Sequence, residues 1–123
     1  IMLDIDDFKK INDTHGHLKG DDVLRRVGSV ILKNTRMSDF PIRMGGEEIL
    51  ILLPQTELSG AFAIAERIRR KVEEEFHGDV VNVTISLGVT QLNGNDTIES
   101  LLKRVDDAVY MSKKNGKNQT TII

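Results

Sequence analysis

Two close pairs of acidic residues, far apart in the chain, are the strongest candidates for chemistry. Asp4 and Asp6 follow a short apolar segment, and Glu47 and Glu48 follow a Gly-Gly dipeptide. Carboxylates held close together raise one another's pKa unless a cation shares them, and Mg²⁺ prefers such hard oxygen ligands. Any one of these residues alone would fit an ordinary strand end or hairpin. The set, if folding unites it, predicts a magnesium site.

The first half of the chain contains the elements that must position these acids. Residues 1–5 have the apolar character of a short buried strand, and residues 22–34 place apolar side chains at helical spacing. Pro41 opens a second extended segment. The Gly45-Gly46 pair has the composition of a two-residue hairpin turn with positive φ. Ile49 to Leu53 is an unbroken apolar run, which favours a central strand buried on both faces.

The second half predicts two helices and two strands. Residues 59–76 form an amphipathic helix with Gly78 as its C-terminal signal, and residues 81–90 alternate as in a half-buried strand. Asp96 and Glu99 resemble a capping box that starts a third helix. That helix would end near Gly116 and precede a last strand over residues 119–123. Its inward-facing residues would be Ile98, Leu101, Leu102, Val105, Ala108 and Val109.

This order of elements, βαββαβ followed by an extra helix and strand, predicts an α+β fold of the ferredoxin-like type, with a mainly antiparallel sheet flanked by helices. In that topology the first strand lies antiparallel beside the third. The C-terminal end of the first strand, with Asp4 and Asp6, then meets the start of the third, with Glu47 and Glu48. The predicted topology therefore gathers the carboxylates at one end of the sheet.

Composition narrows the class of protein. The chain has 123 residues and a mass of 13.8 kDa, which corresponds to one domain, and its formal charge of -2 argues against binding nucleic acid through phosphate neutralisation. The absence of cysteine excludes a disulfide scaffold, a thiolate zinc site and a cysteine nucleophile.

We expect a cytoplasmic location, either free or as the cytoplasmic part of a membrane-anchored sensor. Because Ile1 is not a start methionine, we expect a module of a longer protein.

The acidic motifs closely resemble those of the GGDEF domain. The matching segments are residues 4–13 with Gly16-His17 and Gly20-Asp21, the loop Arg43 to Ile49 with glutamate at the third place of the signature, and the late motif Tyr110, Lys113, Gly116 and Lys117. The resemblance covers residues 1–123 as a single domain that lacks the family's N-terminal part. It implies a nucleotide-cyclase-like fold and a diguanylate cyclase, which condenses two GTP molecules into cyclic di-GMP and two pyrophosphates.

The resemblance also implies roles for the acidic residues. Asp4, the backbone carbonyl of Ile5 and Glu47 would hold Mg²⁺, with Mn²⁺ as the alternative ion. Glu47 and Glu48 would be the catalytic carboxylates. Glu47 is the family's usual candidate for general base, although a carboxylate bound to a metal is a poor base, and Glu48 is expected near the same ions.

Further matching residues would bind the substrate. Asn12 and Asp21 correspond to residues that recognise the guanine edge by hydrogen bonds. Asp21, which follows Gly20, is equally suited to cap a helix. Phe8 and Lys9 correspond to a turn that cradles phosphates. The expected substrate site also includes two lysines that supply positive charge and three residues of the signature loop, namely Lys113, Lys117, Arg43, Gly45 and Gly46.

Arg36 and Asp39 fit the family's motif for product inhibition, and Arg67 matches a further contributor to that cyclic di-GMP site. An Arg-x-x-Asp pattern alone is common and could also be a solvated helix end. His15 and His17 are expected to be loop residues. The resemblance implies a homodimer, because each domain presents one GTP, together with an attached sensor or regulatory domain.

Two alternatives remain at the level of sequence. One is a catalytically degenerate module that binds GTP or cyclic di-GMP and regulates a partner. The other is an unrelated ferredoxin-like binding domain, which would not explain the acidic set together with Asn12 and Asp21. The intact Gly45-to-Glu48 loop favours the enzyme.

Overall fold

One five-stranded sheet organises the molecule. The structure, a computed structural model, describes residues 1–123. The elements are β1 (Met2–Ile5), α1 (Phe8–His15), α2 (His17–Lys33), β2 (Phe40–Gly45), β3 (Glu48–Leu52), α3 (Leu58–Glu75), β4 (Ile85–Val89), α4 (Ile98–Lys114) and β5 (Thr120–Ile122). The strand order is β2-β3-β1-β4-β5, and only β5 pairs in parallel, with β4. The predicted α+β architecture, with β1 antiparallel beside β3, is confirmed.

The two faces of the sheet are covered by different helices. A main core of 21 buried residues joins the sheet to α2 and α3, with Val27 and Ile68 among its fully buried members. A smaller cluster of Met2, Val105 and Val109 joins β1 to α4. Because successive side chains of a strand point to opposite faces, Asp4 shares the α4 face with Met2. Asp4, the candidate metal ligand whose side chain shares this face, is thus placed under the last helix.

Strand β4 is shorter and more deeply buried than its alternating pattern predicts. Only residues 85–89 form the strand, and all five are buried, so the prediction of a half-buried strand over 81–90 is wrong. The reason is that α3 and α4 both pack against it. A Cβ on Gly88 would lie 2.6 Å from the carbonyl oxygen of Val105 and 2.8 Å from the nitrogen of Val109. The backbone of α4 therefore rests directly on Gly88.

Several predicted boundaries also need correction. Helix α1 was not predicted, and α2 begins at His17 rather than at residue 22, so His15 and His17 are helix-terminal rather than loop residues. Strand β3 alternates between buried and less buried residues, so it is not buried on both faces. The sheet continues on both sides of β3, but the α4 face is only partly covered there.

The start of α4 differs from the predicted capping box. Thr97 and Ser100 form the box, and each side chain bonds the other's backbone N–H. Asp96 instead accepts hydrogen bonds from Arg104 at 2.7 Å and from the Ser100 hydroxyl at 2.9 Å. Ile98, predicted to face inward, is 79% exposed because it lies in the first helical turn. None of the four helices has the combination of length and apolar character that crossing a bilayer requires.

Candidate functional site

The two acidic pairs meet at one end of the sheet, as the topology predicts. Asp4 is the register partner of Glu48, and the amide of Ile5 donates to the carbonyl of Glu47 at 3.3 Å. Burial raises the pKa of Asp4, and the charges of Glu47 and Asp6 raise it further. Burial also raises the pKa of Glu48, with Asp4 as the next cause. We call Asp4, Asp6, Glu47 and Glu48 the carboxylate edge.

Lys113 is the cation that faces the carboxylate edge. Its Nζ lies 2.8 Å from Oδ1 of Asp4 and 3.7 Å from Oδ1 of Asp6. Even so, Oδ1 of Asp4 is buried without a well-formed hydrogen bond. An acceptor of this kind, among acids whose pKa values are raised, has the donor chemistry that suits a divalent cation.

The metal-binding role of Asp4, Ile5 and Glu47 stays a prediction. No group of three or more His, Cys, Asp or Glu side chains is arranged to hold a metal ion in this structure. Asp4 and Ile5 nevertheless lie at the end of β1, and Glu47 lies opposite Ile5 in the turn just before β3. They are the residues that would hold such an ion.

Helix α1 begins beside the carboxylate edge. Phe8 and Lys9, predicted to belong to a turn that cradles phosphates, form its first helical turn. Its N-cap residue, Asp7, is left-handed with φ 56° and makes no side-chain hydrogen bond to the helix. The first amides of α1 are therefore free of a side-chain cap, and a helix N-terminus favours anions such as phosphate.

Lys117 lies at the same helix start. Its Nζ is 2.7 Å from Oδ1 of Asp7, and this hydrogen bond lowers the pKa of Asp7. Lys113 and Lys117 thus lie on the same side of the site, near β1 and α1. The structure brings together the residues predicted to contact phosphate, although it does not test that role.

Asn12 and Asp21 are neighbours across the α1–α2 contact. A Cβ on Gly20 would lie only 1.8 Å from Oδ1 of Asn12, so the Asn12 amide lies directly over Gly20. Asp21 is inside α2, whose N-cap is Gly16, so Asp21 does not cap the helix. It lines a groove of about 510 Å³ between α2 and β2–β3.

The signature loop forms the tip of the β2–β3 hairpin. Gly45 pairs with Glu48, which makes Gly46 and Glu47 the turn residues, one position later than predicted. Gly46 has φ 51°, and its carbonyl accepts a hydrogen bond from Nε of Arg43 at 3.0 Å. The hairpin therefore places Glu47 opposite Ile5, at the end of β1.

Arg36, Asp39 and Arg67 lie together beyond the C-terminal end of α2. Arg36 is past the helix, which ends at Lys33, and its Nη2 lies 3.1 Å from Oδ1 of buried Asp39. Burial raises the pKa of Asp39, but hydrogen bonds from Arg36 outweigh burial and leave it lowered. Arg67 donates to the carbonyl of Asn34 at 2.8 Å. The length of α2 separates this cluster from Asp21 by roughly 18 Å.

Sequence reasoning missed the polar residues that surround Asp6. Thr84 and Ser86 donate to its carboxylate at 2.7 and 2.6 Å. Both occupy polar positions of the alternating pattern, which was interpreted as a solvent-facing side. The sequence held no signal for this contact, because a period of two does not show which face of a strand a helix covers.

Comparison with known proteins gives consistent results. Residues 1–119 match the family described as "Diguanylate cyclase, GGDEF domain". The chain is similar to Diguanylate cyclase A of Treponema denticola, with 47% identity over 99% of this chain and 34% of that protein. It is also similar to Response regulator PleD of Caulobacter vibrioides, with 48% identity over 96% of this chain and 27% of that protein. The chain spans about a third or less of the length of these two relatives.

Solved structures agree in fold. The GGDEF domain of DgcB from Caulobacter crescentus, in complex with c-di-GMP, has a TM-score of 0.92 and 35% identity, covering 98% of this chain and 74% of that one. The active GGEEF domain of a diguanylate cyclase from Vibrio cholerae has a TM-score of 0.90 and 36% identity, covering 98% of this chain and 79% of that one.

Proposed function

The chain belongs to the GGDEF family of diguanylate cyclase domains, and from this premise we propose that the protein condenses two GTP molecules into cyclic di-GMP and two pyrophosphates. The observation that supports this proposal best is the register of β1 and β3, which sets Asp4 opposite Glu48 beside Lys113. A domain that only binds a nucleotide would not need carboxylates gathered where the phosphates are proposed to lie.

In this reaction the 3′-hydroxyl of each GTP attacks the α-phosphorus of the other. Asp4, the Ile5 carbonyl and Glu47 would hold Mg²⁺, or Mn²⁺ in its place. When bound, the ion supplies Lewis-acid stabilisation of the phosphoryl oxygens and of the departing pyrophosphate. Glu48, beside Asp4, adds negative charge that strengthens cation binding.

The protein's own groups orient the triphosphate. The first-turn amides of α1 at Phe8 and Lys9 point out of a helix N-terminus, which favours phosphate. Lys113 and Lys117 add positive charge on the same side. We assign the β- and γ-phosphates to this end of the site, so that the α-phosphorus lies nearer the carboxylate edge.

Guanine would be read by Asn12 and Asp21. A carboxylate accepts from guanine N1–H and the exocyclic amine, which adenine does not present in that pattern. Because one domain presents a single GTP, closing the ring requires a homodimer. Arg36, Asp39 and Arg67 would bind the product at a separate site, and attached domains would supply regulation.

We expect Gly20→Ala to lower the preference for GTP over ATP by about tenfold, because the new methyl group displaces the Asn12 amide that would pair with guanine. The amide is the end of a side chain and can rotate away, so the fold should persist. Competitive binding of GTP and ATP to the full-length protein measures the preference.

Gly60→Ala, another helical glycine substitution, is the matched control, since its methyl group would meet only Thr56 at 3.3 Å. It should leave the preference for GTP unchanged. An unaltered preference in Gly20→Ala would show that Asn12 does not read the base.

We expect Arg36→Ala to weaken inhibition by cyclic di-GMP while initial rates stay near those of the wild type. Arg36 and Asp39 are far along α2 from Asp21, so their loss should not disturb substrate binding. Initial rates of the full-length protein at rising cyclic di-GMP measure the effect. Arg70→Ala is the control, since Arg70 contacts only the carbonyl of Glu66. Identical inhibition curves for Arg36→Ala and wild type would contradict the assignment.

Calorimetric titration of the full-length protein with a non-hydrolysable GTP analogue tests the binding half of the proposal. We expect tight binding with Mg²⁺ and much weaker binding in excess chelator. Equal affinity under both conditions would contradict metal-assisted GTP binding.

A further inference from the structure

Asp6 belongs to the carboxylate edge, but it is a buried carboxylate that the proposed function does not use as a ligand of substrate or metal ion. It is 4% exposed, and its Oδ2 accepts from the Thr84 hydroxyl at 2.7 Å and from the backbone N–H of Asn118 at 3.1 Å. Its Oδ1 accepts from the Ser86 hydroxyl at 2.6 Å, and Nζ of Lys113 lies 3.7 Å away. Burying a charge is costly unless partners of this kind satisfy it.

These partners distinguish Asp6 from Asp4. Oδ1 of Asp4 is buried and lies 2.8 Å from Nζ of Lys113 without a well-formed hydrogen bond, whereas both oxygens of Asp6 accept hydrogen bonds from the protein. Asp4 therefore has acceptor capacity to offer a cation, and Asp6 has committed most of its capacity to neighbouring elements. Its partners belong to the start of β4, the end of α4 and the turn before β5.

The turn before β5 is conformationally strained. Lys117 and Asn118 are consecutive residues with positive φ, at 65° and 47°. Side chains other than glycine adopt this region at a cost, so the surroundings must hold them there. The N–H of Asn118 is fixed by Asp6, and the Asn118 side chain is fixed by Arg69 at 3.0 Å and by Glu73.

The strained turn determines where Lys117 lies. The Lys117 ammonium is 2.7 Å from Asp7 at the start of α1, where the proposed function puts the triphosphate. The Thr84 hydroxyl and the Asn118 N–H donate to the same oxygen, Oδ2 of Asp6. The Thr84 hydroxyl therefore holds in place the oxygen that anchors the Lys117-Asn118 turn.

We propose that Asp6 is a positioning residue that holds the Lys117-Asn118 turn so that the Lys117 ammonium faces the phosphate end of the site. The proposal rests on the proposed function, because the effect on GTP requires that Lys117 contact the triphosphate. Because both oxygens of Asp6 accept hydrogen bonds from the protein, the proposal gives Asp6 no direct contact with substrate or metal ion.

Thr84→Val in the full-length protein tests this role, because it removes one donor to Asp6 and keeps the shape of the side chain. We expect the KM for GTP to rise roughly tenfold with kcat little changed. Thr90→Val is the matched control, since Thr90 lies at the opposite end of β4, where its hydroxyl donates to the carbonyl of Ile123 and accepts from Arg104. It should leave KM unchanged. Asp6→Asn should raise KM further, and Thr84→Val decides the question if Asp6→Asn does not fold.

A double-mutant cycle separates positioning from general destabilisation. In a Lys117→Ala background, Thr84→Val should cause no further rise in KM, because both changes act on the same contact. A rise of equal size in both backgrounds, or the same rise in Thr90→Val, would overturn the proposal.

Amide hydrogen exchange of Asn118 without nucleotide provides a readout that does not depend on turnover. We expect exchange at least several-fold faster in Thr84→Val than in wild type, and unchanged in Thr90→Val. If the wild type converts no GTP, the proposed function fails, but this comparison still decides whether Asp6 holds the turn. Unchanged exchange in Thr84→Val would overturn the positioning role even in an active enzyme.

Discussion

Replacing Glu47 with alanine is expected to lower the rate of cyclic di-GMP formation by more than about 100-fold. The reason is that Glu47 is proposed to bind the metal ion directly, and losing a direct ligand should cost more than losing a residue that only orients a ligand. Glu47 lies in the hairpin turn and is only half-buried. Its removal should therefore change the free energy of unfolding by less than about 0.5 kcal/mol. Initial rates and urea unfolding of the full-length protein measure the two quantities.

Glu57→Ala is the control for this experiment. Glu57 is an exposed acid that precedes α3 and forms no side-chain cap. It should retain wild-type rates and Mg²⁺ dependence. Near-normal cyclase rates in Glu47→Ala would show that Glu47 is neither a metal ligand nor a base.

Gly88→Ala is expected to cause the largest loss of stability, at least about 2 kcal/mol in the free energy of unfolding. The new methyl group would lie 2.6 to 2.8 Å from backbone atoms of Val105 and Val109, which cannot rotate away. Helix α4 must shift, and with it Lys113, so the rate of GTP turnover should fall as well. Urea denaturation followed by circular dichroism measures the stability.

Gly94→Ala provides the comparison, because a Cβ there would meet nothing within 4 Å. Its unfolding midpoint should match that of the wild type. If Gly88→Ala unfolded at the same urea concentration as Gly94→Ala, the close packing of α4 on β4 would be wrong.

The meeting of the two acidic pairs could be predicted from sequence because it follows from topology. Once the order βαββαβ is assigned, β1 lies antiparallel beside β3, and Asp4 falls near Glu48 whatever the details of the loops. That inference required only connectivity and strand direction. Asn12 and Asp21 were indicated by the resemblance to the GGDEF domain, and the structure sets the Asn12 amide over Gly20, the residue before Asp21.

The environment of Asp6 could not be predicted in this way. A period of two shows which strand residues share a face, but not what covers that face. Thr84 and Ser86 therefore had the pattern of solvent-facing residues, whereas Ser86 is fully buried and bonds Asp6. Lys113 faces Asp4 only because α4 packs across β1, a contact between distant parts of the chain.

Local signals at helix starts were ambiguous for a different reason. Asp96 and Thr97 are both good N-cap residues, and the structure uses Thr97 because Asp96 pairs with Arg104. Helix α1 has only eight residues, and its N-cap residue Asp7 is in the left-handed conformation. From sequence alone, an aspartate in that conformation is as typical of a turn as of a helix start. In both cases a tertiary contact selected among locally acceptable alternatives.

The central claim is that the carboxylate edge supports metal-dependent joining of two GTP molecules. Incubating the full-length protein with GTP, with Mg²⁺ or with excess chelator, and identifying the products by mass spectrometry tests it most directly. We predict cyclic di-GMP and pyrophosphate in a ratio of about 1:2 with Mg²⁺ and neither product with chelator, with a rate per molecule that rises with protein concentration. A folded full-length protein that binds GTP with Mg²⁺ yet forms no cyclic di-GMP, or that forms it equally in chelator, would contradict the claim.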